Sequence, residues 1–328
     1  MELQQLRYVV AVAETSNFTR AAEHCRVVQS ALSHQIAALE RELGSRLFER
    51  TSRRVRLTPA GEAFLPAARE CLEAADRARA EVAAASGEIR GRLAVGAIPT
   101  ITAVNLPVVL RDYRRRHPRV RIMLTSAGSE DLVERVRRGV VDVAFLGLPP
   151  RAEPKGVRSR RLGGDELVAV VAPDHHLAEN SGPDRRPTEN TGPDRRPTEN
   201  EADLRSLADE PFIDFRAGHA GRAQSDEAFA AAGVRREVPF EVSSADFMVD
   251  LVRQGLGVGL LPAAYAPRFS DLRVIRLRDA PTRVEHLIWD NRPSPAATAF
   301  LDLVREDLPE SAAEGGHGGV ATPSPRIR

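Results

Sequence analysis

Residues 17–42, NFTRAAEHCRVVQSALSHQIAALERE, carry a hydrophobic pattern that predicts two short helices separated by a tight break. Apolar residues recur in the first helix at three- and four-residue spacing: Phe18, Ala21, Ala22 and Cys25. The second helix turns Ala31 or Leu32 inward, together with Ile36 and Leu39. Two helices that cross steeply need small residues where their backbones approach, and the double alanine meets that need. The pattern therefore predicts a helix-turn-helix, with an ordinary helical hairpin inside a larger core as the alternative.

A second signal for DNA binding follows directly. Gly44 ends the second helix, and residues 47–64, LFERTSRRVRLTPAGEAF, then predict two short strands with a basic tip. A winged helix lays such a tip along phosphates or into the minor groove of DNA. The whole chain has a net charge of only +1, but its positive charge is concentrated in this segment. The wing therefore favours a DNA-binding domain over a plain hairpin.

The residues that would contact double-stranded promoter DNA fall into two groups. Short polar side chains at the start of the second helix can reach base edges in the major groove. These candidates are Gln29, Ser30, Ser33 and His34. The candidates for contacts with the DNA backbone are Thr19, Arg20, Arg50, Arg53 and Arg54.

Three stretches resemble the amino-terminal domain of LysR-type transcriptional regulators in order and spacing. They are LRYVVAVAETSNFTRAAE at 6–23, VQSALSHQIAALERELGSRLFER at 28–50 and LTPAGEAF at 57–64. Two residues depart from the family pattern. Val28 stands where a serine or threonine usually caps the recognition helix, which weakens the cap by about 1 kcal/mol. Cys25 stands where leucine is usual, as a tolerable small hydrophobe.

A long alanine-rich helix is predicted from Thr58 to about Ala85. Its apolar residues alternate four- and three-residue steps, which is typical of a coiled-coil seam. The predicted dimerisation residues are Phe64, Ala68, Cys71, Ala75, Ala78 and Val82. The alternative is a solitary helix lying on its own domain. The resemblance implies a homodimer through this linker, commonly assembled into a homotetramer, with RNA polymerase as a further partner.

Beyond Gly87 short apolar strands alternate with helical stretches, which indicates an α/β domain. The resemblance implies a two-lobed effector-binding domain like a periplasmic binding protein. The predicted organisation is a winged helix-turn-helix at 1–58, a linker helix at 59–87, an effector-binding domain at 88–308 and a disordered tail at 309–328. Lobe I spans 88–163 and 268–308, and lobe II spans 164–267. The tandem decapeptides at 179–200 are predicted to form a disordered loop.

Effector contacts are expected where strands end and helices begin, because backbone N–H groups and positive helix ends are available there. The candidates are Thr100, Ser129, Phe215, Arg216, His219, Ser243 and Ser244. Thr100 is expected to open a helix running to Leu110. Each hydroxyl has a plain helix cap as its alternative role. Arg216, His219 and Arg222 lie near one another in sequence, which predicts an organic anion as effector, with surface solvation as the alternative.

The remaining patterns argue against other classes of protein. The histidines show no metal-ligand spacing with cysteines or carboxylates, and no catalytic motif occurs, so we expect no metal, no cofactor and no enzyme. The absence of a long apolar stretch or leader predicts a cytoplasmic protein without membrane contact. Cys25 and Cys71 are the only cysteines; a cross-chain bridge at Cys71 is conceivable. The sequence thus predicts an effector-modulated transcriptional regulator, the alternatives being a solute-binding sensor without DNA function or a small-molecule enzyme.

Overall fold

The computed structural model describes residues 1–50, 55–179 and 201–307. It contains two compact units, Met1–Gly91 and a second that begins at Arg92. Several predictions lie outside the described residues: the loop at 179–200 apart from the backbone of its first residue, the tail at 309–328, and the side chains of Arg50, Arg53 and Arg54. No helix in the described ranges has both the length and the apolar character needed to cross a membrane.

The first unit consists of four helices and a small hairpin. Its elements are α1 (Leu3–Thr15), α2 (Phe18–His24), α3 (Gln29–Leu43), β1 (Phe48–Arg50), β2 (Val55–Leu57) and α4 (Pro59–Ala85). The buried faces of α1, α2 and α3 form one hydrophobic core with Leu47 and Phe48. Leu32, not Ala31, faces this core, and Ala21 is fully buried where α2 crosses its neighbours. The predicted helix-turn-helix is therefore present.

The amino-terminal ends of α2 and α3 are built differently. Asn17 caps α2, since its side-chain oxygen accepts hydrogen bonds from the backbone N–H groups of Thr19 and Arg20 at 2.8 and 3.0 Å. Val28 precedes α3 without any side-chain cap and is 68% exposed. Helix α3 therefore begins with no side-chain cap and with an exposed apolar side chain before it.

The predicted wing is a two-stranded antiparallel hairpin in which Phe48 pairs with Leu57 and Arg50 with Val55. Glu40 of α3 fixes its base, because one carboxylate oxygen accepts hydrogen bonds from the backbone N–H groups of Leu47 and Phe48 at 2.8 and 3.2 Å. The hairpin is thus attached to α3.

The second unit is a mixed α/β domain. Its strands are β3 (Gly91–Ala97, beginning at the last residue of the first unit), β4 (Val120–Ser126), β5 (Val143–Leu148), β6 (Arg158–Val171), β7 (Glu201–Asp203), β8 (Pro211–Phe215), β9 (Glu237–Val242), β10 (Val258–Pro262), β11 (Arg273–Arg278) and β12 (Thr282–Trp289). Its α-helices are α5 (Leu106–Arg116), α6 (Ser129–Arg137), α7 (His176–Glu179), α8 (Ala220–Ala231), α9 (Ala245–Arg253) and α10 (Pro295–Asp307).

The long strand β6 connects the halves of this domain. The strand order is β4-β3-β5-β12-β6-β10-β8-β9, with β11 also paired to β6. One stretch of β6 pairs with β12, and its last residues pair with β10 and β11, so β6 belongs to both halves. Helix α8 of the second half contacts β5 of the first. The cleft between the halves is thereby lined by loops from both.

The structure corrects the sequence prediction at two places. The helix expected from Thr100 to Leu110 begins only at Leu106, because Asn105 supplies its cap. The apolar run ELVAVVA at 166–172 alone predicts a strand, but β6 begins at Arg158, because the polar stretch before this run already pairs with β12. Strands β7, β11 and β12 were not predicted, since their pairing partners lie far away in sequence.

Candidate functional site

The start of α3 presents the predicted DNA-reading residues on the surface of the first unit. Gln29, Ser30 and His34 are exposed, and Ser33 is half-buried. The Gln29 side-chain amide donates a hydrogen bond of 2.7 Å to the hydroxyl of Ser33, one turn further along. This bond orients the Gln29 carboxamide, and its side-chain oxygen remains able to accept a hydrogen bond from a base edge. Ser33 is thus a positioning partner as well as a candidate contact.

Thr19 and Arg20 are the residues predicted to contact the DNA backbone whose side chains lie within the described part of the chain. Thr19 and Arg20 are exposed in the first turn of α2. Their backbone N–H groups already donate hydrogen bonds to the Asn17 side chain. Only their side chains can therefore contact a phosphate. Arg56 of β2 is exposed as well and stands opposite Glu49 in the hairpin.

The predicted dimerisation residues of α4 do not share one environment. Phe64 packs against the core of the first unit, and Ala68 is only 1% exposed within the single chain. Cys71 and Ala78 are exposed, and Val82 is 70% exposed. Ala75 is half-buried. Of the six predicted residues, the structure therefore leaves Cys71, Ala78 and Val82 exposed and buries Ala68 within the first unit.

A small cavity lies in the cleft of the second unit and has a volume of about 20 Å³. It has room for about one water molecule, so this conformation of the cleft is closed. Four of the predicted effector residues line it: Thr100, Ser129, Phe215 and His219. Arg216, Ser243 and Ser244 do not line it. Arg216 and Ser243 are exposed, and Ser244 caps α9 by accepting a hydrogen bond from the N–H of Phe247.

Arg283 of β12 occupies one wall of the cavity and was missed by the sequence prediction. Its guanidinium donates hydrogen bonds to the hydroxyl and the carbonyl oxygen of Thr100 at 2.8 and 2.7 Å. It also pairs with Glu285, and the two side chains are 5% and 2% exposed. Burial lowers the pKa of Arg283, and the Glu285 carboxylate opposes that shift.

Glu285 holds the segment that was expected to be helical. Its carboxylate accepts hydrogen bonds from the backbone N–H groups of Thr102 and Ala103 and from the Thr102 hydroxyl, the latter at 2.7 Å. Thr100 consequently accepts hydrogen bonds from Arg283 and does not cap a helix. The sequence placed Thr100 in the cleft, where it lies, but expected it to open a helix, which it does not do.

Gln224 of α8 reaches the same cavity from the other half of the domain. It is 5% exposed, and neither polar atom of its carboxamide has a hydrogen-bond partner among the described residues. Buried polar groups in proteins are nearly always paired, and an unpaired one costs about 1–3 kcal/mol. An orphaned amide facing a cleft is the pattern expected of a group that binds a polar ligand.

Ser129 and His219 are fixed by the protein itself. The Ser129 hydroxyl donates to the carbonyl oxygen of Gly147 at 3.0 Å and accepts from its N–H at 3.2 Å. The His219 ring stacks on Phe215 with centroids 4.5 Å apart. Its Nδ1 accepts a hydrogen bond from the N–H of Gly221 at the start of α8. Burial lowers the pKa of His219, so the ring is neutral near pH 7.

The three residues that predicted an anionic effector do not converge on the cavity. Arg216 is exposed. Arg222 is bound to Asp226 at 2.9 Å, to Glu241 at 3.3 Å and to the carbonyl oxygen of Phe215. His219 favours its neutral form. Arg283 is therefore the cation at this cavity among the described residues, and it carries its own counter-ion.

Comparisons with known proteins found a family match for the sequence of each unit. Residues 3–62 match the family described as "Bacterial regulatory helix-turn-helix protein, lysR family", and residues 86–190 and 191–309 match "LysR substrate binding domain". The chain is 36% identical over 263 residues, covering 80% of it and 78% of the relative, to a "Probable hydrogen peroxide-inducible genes activator" of Mycobacterium avium. It is 31% identical to the "Transcriptional dual regulator GltC" of Bacillus subtilis, covering 93% and 96% of the two chains. A solved structure of full-length CbnR with its target DNA has a TM-score of 0.68 at 26% identity, covering 94% of this chain and all of that one.

Proposed function

The chain belongs to the LysR family of transcriptional regulators, and we propose that a small polar effector bound in the cleft controls its action on promoter DNA. The family assignment makes it a DNA-binding regulator with an effector-binding domain and not an enzyme. A regulator of promoter DNA works where the chromosome is, which is the bacterial cytoplasm. RNA polymerase is the natural recipient of its signal.

The observation that carries the DNA-binding proposal is the exposed polar start of α3, a helix to which Glu40 attaches the hairpin. Gln29, Ser30 and His34 are free of the core, and the cap that would cover this end of the helix is absent. The relative with the DNA complex, CbnR, is similar along this part of the chain. We infer that α3 enters the major groove, with Thr19, Arg20 and the arginines at 50, 53 and 54 on the DNA backbone.

Replacing Gln29 with alanine is expected to weaken specific promoter binding by about 1–3 kcal/mol and to change base preference at one position. Gel retardation with the DNA upstream of the chain's own gene measures the effect, with random DNA alongside. Gln4→Ala is the matched control. Gln4 is exposed on α1, and the amino terminus of that helix lies beside Glu42 at the far end of α3. Equal retardation of both variants would contradict a base-reading role for Gln29.

The effector proposal depends on the cavity between the halves of the second unit. Thr100, Ser129, Phe215 and His219 meet there, and the Gln224 amide faces it unpaired. Because the closed cavity holds about one water molecule, binding of a metabolite requires the halves to separate. We propose that the effector is a small polar molecule that offers both a hydrogen-bond donor and an acceptor to Gln224. We also propose that the two separating halves are divided near residues 163 and 267, as the sequence predicts.

An organic anion is a narrower form of the same proposal. The only cation lining the cavity among the described residues is Arg283, and its buried Nε has no hydrogen-bond partner there. A carboxylate would have to compete with Glu285 for the guanidinium. Calorimetric titration with matched pairs of carboxylic acids and their amides decides the point: tighter binding of the acids supports the anion, and tighter binding of the amides excludes it.

Replacing Gln224 with leucine is expected to leave the free energy of unfolding unchanged or to raise it by about 1 kcal/mol, because a buried unpaired amide is removed. The same change should weaken effector binding by at least about tenfold. Chemical denaturation and calorimetry measure the two effects. Gln254→Leu, at the carboxyl end of α9 and outside the cavity lining, is the control. A strongly destabilised Gln224→Leu protein that still binds effector would contradict the assignment.

The name of the Mycobacterium avium relative, "Probable hydrogen peroxide-inducible genes activator", raises the question whether a thiol of this chain could respond to peroxide. The two cysteines are at positions 25 and 71, and residues 92–328 contain none. Cys25 is half-buried in the helix-turn-helix core, and burial raises the pKa of its thiol, which disfavours the reactive thiolate. We therefore infer that the signal is a reversibly bound molecule.

Self-association is part of the proposed function. The exposed side of α4 at Cys71, Ala78 and Val82 offers small and apolar side chains at coiled-coil spacing. A twofold assembly through this surface would match an inverted-repeat operator, and a pair of such dimers would give the homotetramer. Sedimentation equilibrium of the purified protein measures the mass of the assembly, and a monomer at working concentration would exclude it.

A further inference from the structure

Three potential metal ligands meet in the second unit, away from the effector cavity. His175 and His176 precede and begin α7, and Glu210 lies just before β8. His175 Nε2 is 3.3 Å from one carboxylate oxygen of Glu210, and His176 Nε2 is 3.1 Å from the other. The three donor atoms all lie within 4.8 Å of one another. The sequence prediction missed this group because adjacent histidines do not show metal-ligand spacing and the carboxylate comes from a distant segment.

The backbone fixes the positions of the two histidines. The N–H of His175 donates to the carbonyl oxygen of Ala172, and the carbonyl oxygen of His175 accepts from Ala178 at 2.7 Å. The rings stack with centroids 4.6 Å apart and an interplanar angle of 29°. Both rings therefore direct Nε2 toward the same carboxylate. On the other side, the N–H of Glu210 donates to the carbonyl oxygen of Leu207.

This geometry fits a tetrahedral transition metal. Zinc bonds of about 2.1 Å to nitrogen and oxygen place neighbouring ligands about 3.4 Å apart, close to the two nitrogen–oxygen distances observed. Two imidazoles and one carboxylate form a common zinc ligand set that leaves a fourth position for water. Burial also suits a site, because His175 and Glu210 side chains are 13% and 14% exposed while His176 opens to solvent at 63%.

We propose that His175, His176 and Glu210 form a zinc-binding site. The simpler arrangement is a pair of hydrogen bonds in which both Nε2–H groups donate to Glu210. In that arrangement His175 Nδ1 accepts a hydrogen bond of 3.3 Å from the N–H of Leu177. Zinc would take the place of both Nε2 protons, and each imidazole would then carry its proton on Nδ1. The hydrogen bond from Leu177 to His175 Nδ1, which is long for its type, would therefore be lost.

Zinc titration tests the proposal, with the full chain prepared without a histidine tag and stripped with a chelator. Competition against a chromophoric chelator should show one zinc ion bound per chain. His176→Ala and Glu210→Gln should each weaken binding by at least about tenfold, since even partners of zinc ligands carry effects of that size. His176 is largely exposed, so its replacement leaves the fold intact. Zinc should also raise the thermal midpoint of the original protein but not of the variants.

The control is His24→Ala, which removes an exposed histidine from the first unit and should leave zinc binding unchanged. Cobalt gives a second measurement, because a tetrahedral site produces intense visible absorption that His176→Ala should abolish. Failure to bind one equivalent of zinc, or equal affinity in all variants, would overturn the proposal. Neither measurement uses DNA or effector, so its outcome is separate from that of the proposed regulatory function.

Discussion

Replacing Gly61 with alanine is expected to destabilise the first unit by about 2 kcal/mol or more and to abolish specific DNA binding. Gly61 lies in the first turn of α4, where an added Cβ would stand 2.1 Å from the carbonyl oxygen of Leu47 and 2.9 Å from the Leu57 side chain. A backbone oxygen cannot rotate away, so the cost lies at the upper end of the roughly 1–3 kcal/mol that is typical of overpacking. The gain in helix propensity, about 1 kcal/mol, is smaller.

The clash would also displace the wing. The carbonyl oxygen of Leu47 accepts the N–H of Thr58, and the Thr58 hydroxyl both caps α4 and donates to the carbonyl oxygen of Arg46 at 2.6 Å. Moving Leu47 therefore disturbs the junction that holds the hairpin against α4. This contact gives a physical reason for glycine within LTPAGEAF, where sequence reasoning had only a resemblance.

Chemical denaturation followed by the helical signal measures the stability loss, and gel retardation measures DNA affinity. Gly163→Ala is the matched control, because a Cβ there has no atom within 4 Å and the residue does not have positive φ. It lies in the second unit and should leave both measurements unchanged. A Gly61→Ala protein with original stability would show that Leu47 can shift without cost.

The first unit was predictable because its contacts are local. The stripe Phe18, Ala21 and Ala22 and the inward positions Ile36 and Leu39 read directly as buried helix faces, and all five are buried. The left-handed conformation of Arg26 in the turn, with φ of +55°, was not predictable, since arginine carries no signal for it. The burial of Ala68 within the first unit was not predicted for a similar reason: heptad spacing cannot distinguish Ala68, which is buried within the chain, from Val82, which is exposed.

The cleft was predictable only in part. Ser129 and Phe215 could be found because each stands where a strand or helix visibly begins or ends. Gln224 and Arg283 could not, because one is an ordinary helix residue in sequence and the other lies in β12, whose partners are more than a hundred residues away. One sequence signal could have indicated this pair. Arg283 and Glu285 are two residues apart in a strand, so their side chains face the same side. Charged side chains are rarely buried unless they are paired, so this spacing predicts a buried ion pair.

Replacing Arg283 with methionine is expected to cost about 3–5 kcal/mol in the free energy of unfolding of the second unit. Glu285 would remain buried without its cation, which is more costly than losing the pair as a whole. Thr100 would lose both hydrogen bonds from the guanidinium, so the wall of the effector cavity would lose its order. Effector affinity should therefore fall together with stability, as denaturation and calorimetry on the same samples would show.

The double variant Arg283→Met/Glu285→Met separates ion pairing from packing. Because two apolar side chains of similar volume leave no buried charge, it should be less destabilised than the single variant, although the N–H groups of Thr102 and Ala103 lose their acceptor. Arg305→Met is the control, since its pair with Asp302 is exposed and contributes at most about 1 kcal/mol. If Arg283→Met cost no more than Arg305→Met, the buried Glu285 carboxylate would have to be stable with its backbone donors alone. In the original protein Arg283 could then leave Glu285 at little cost and bind an anionic effector.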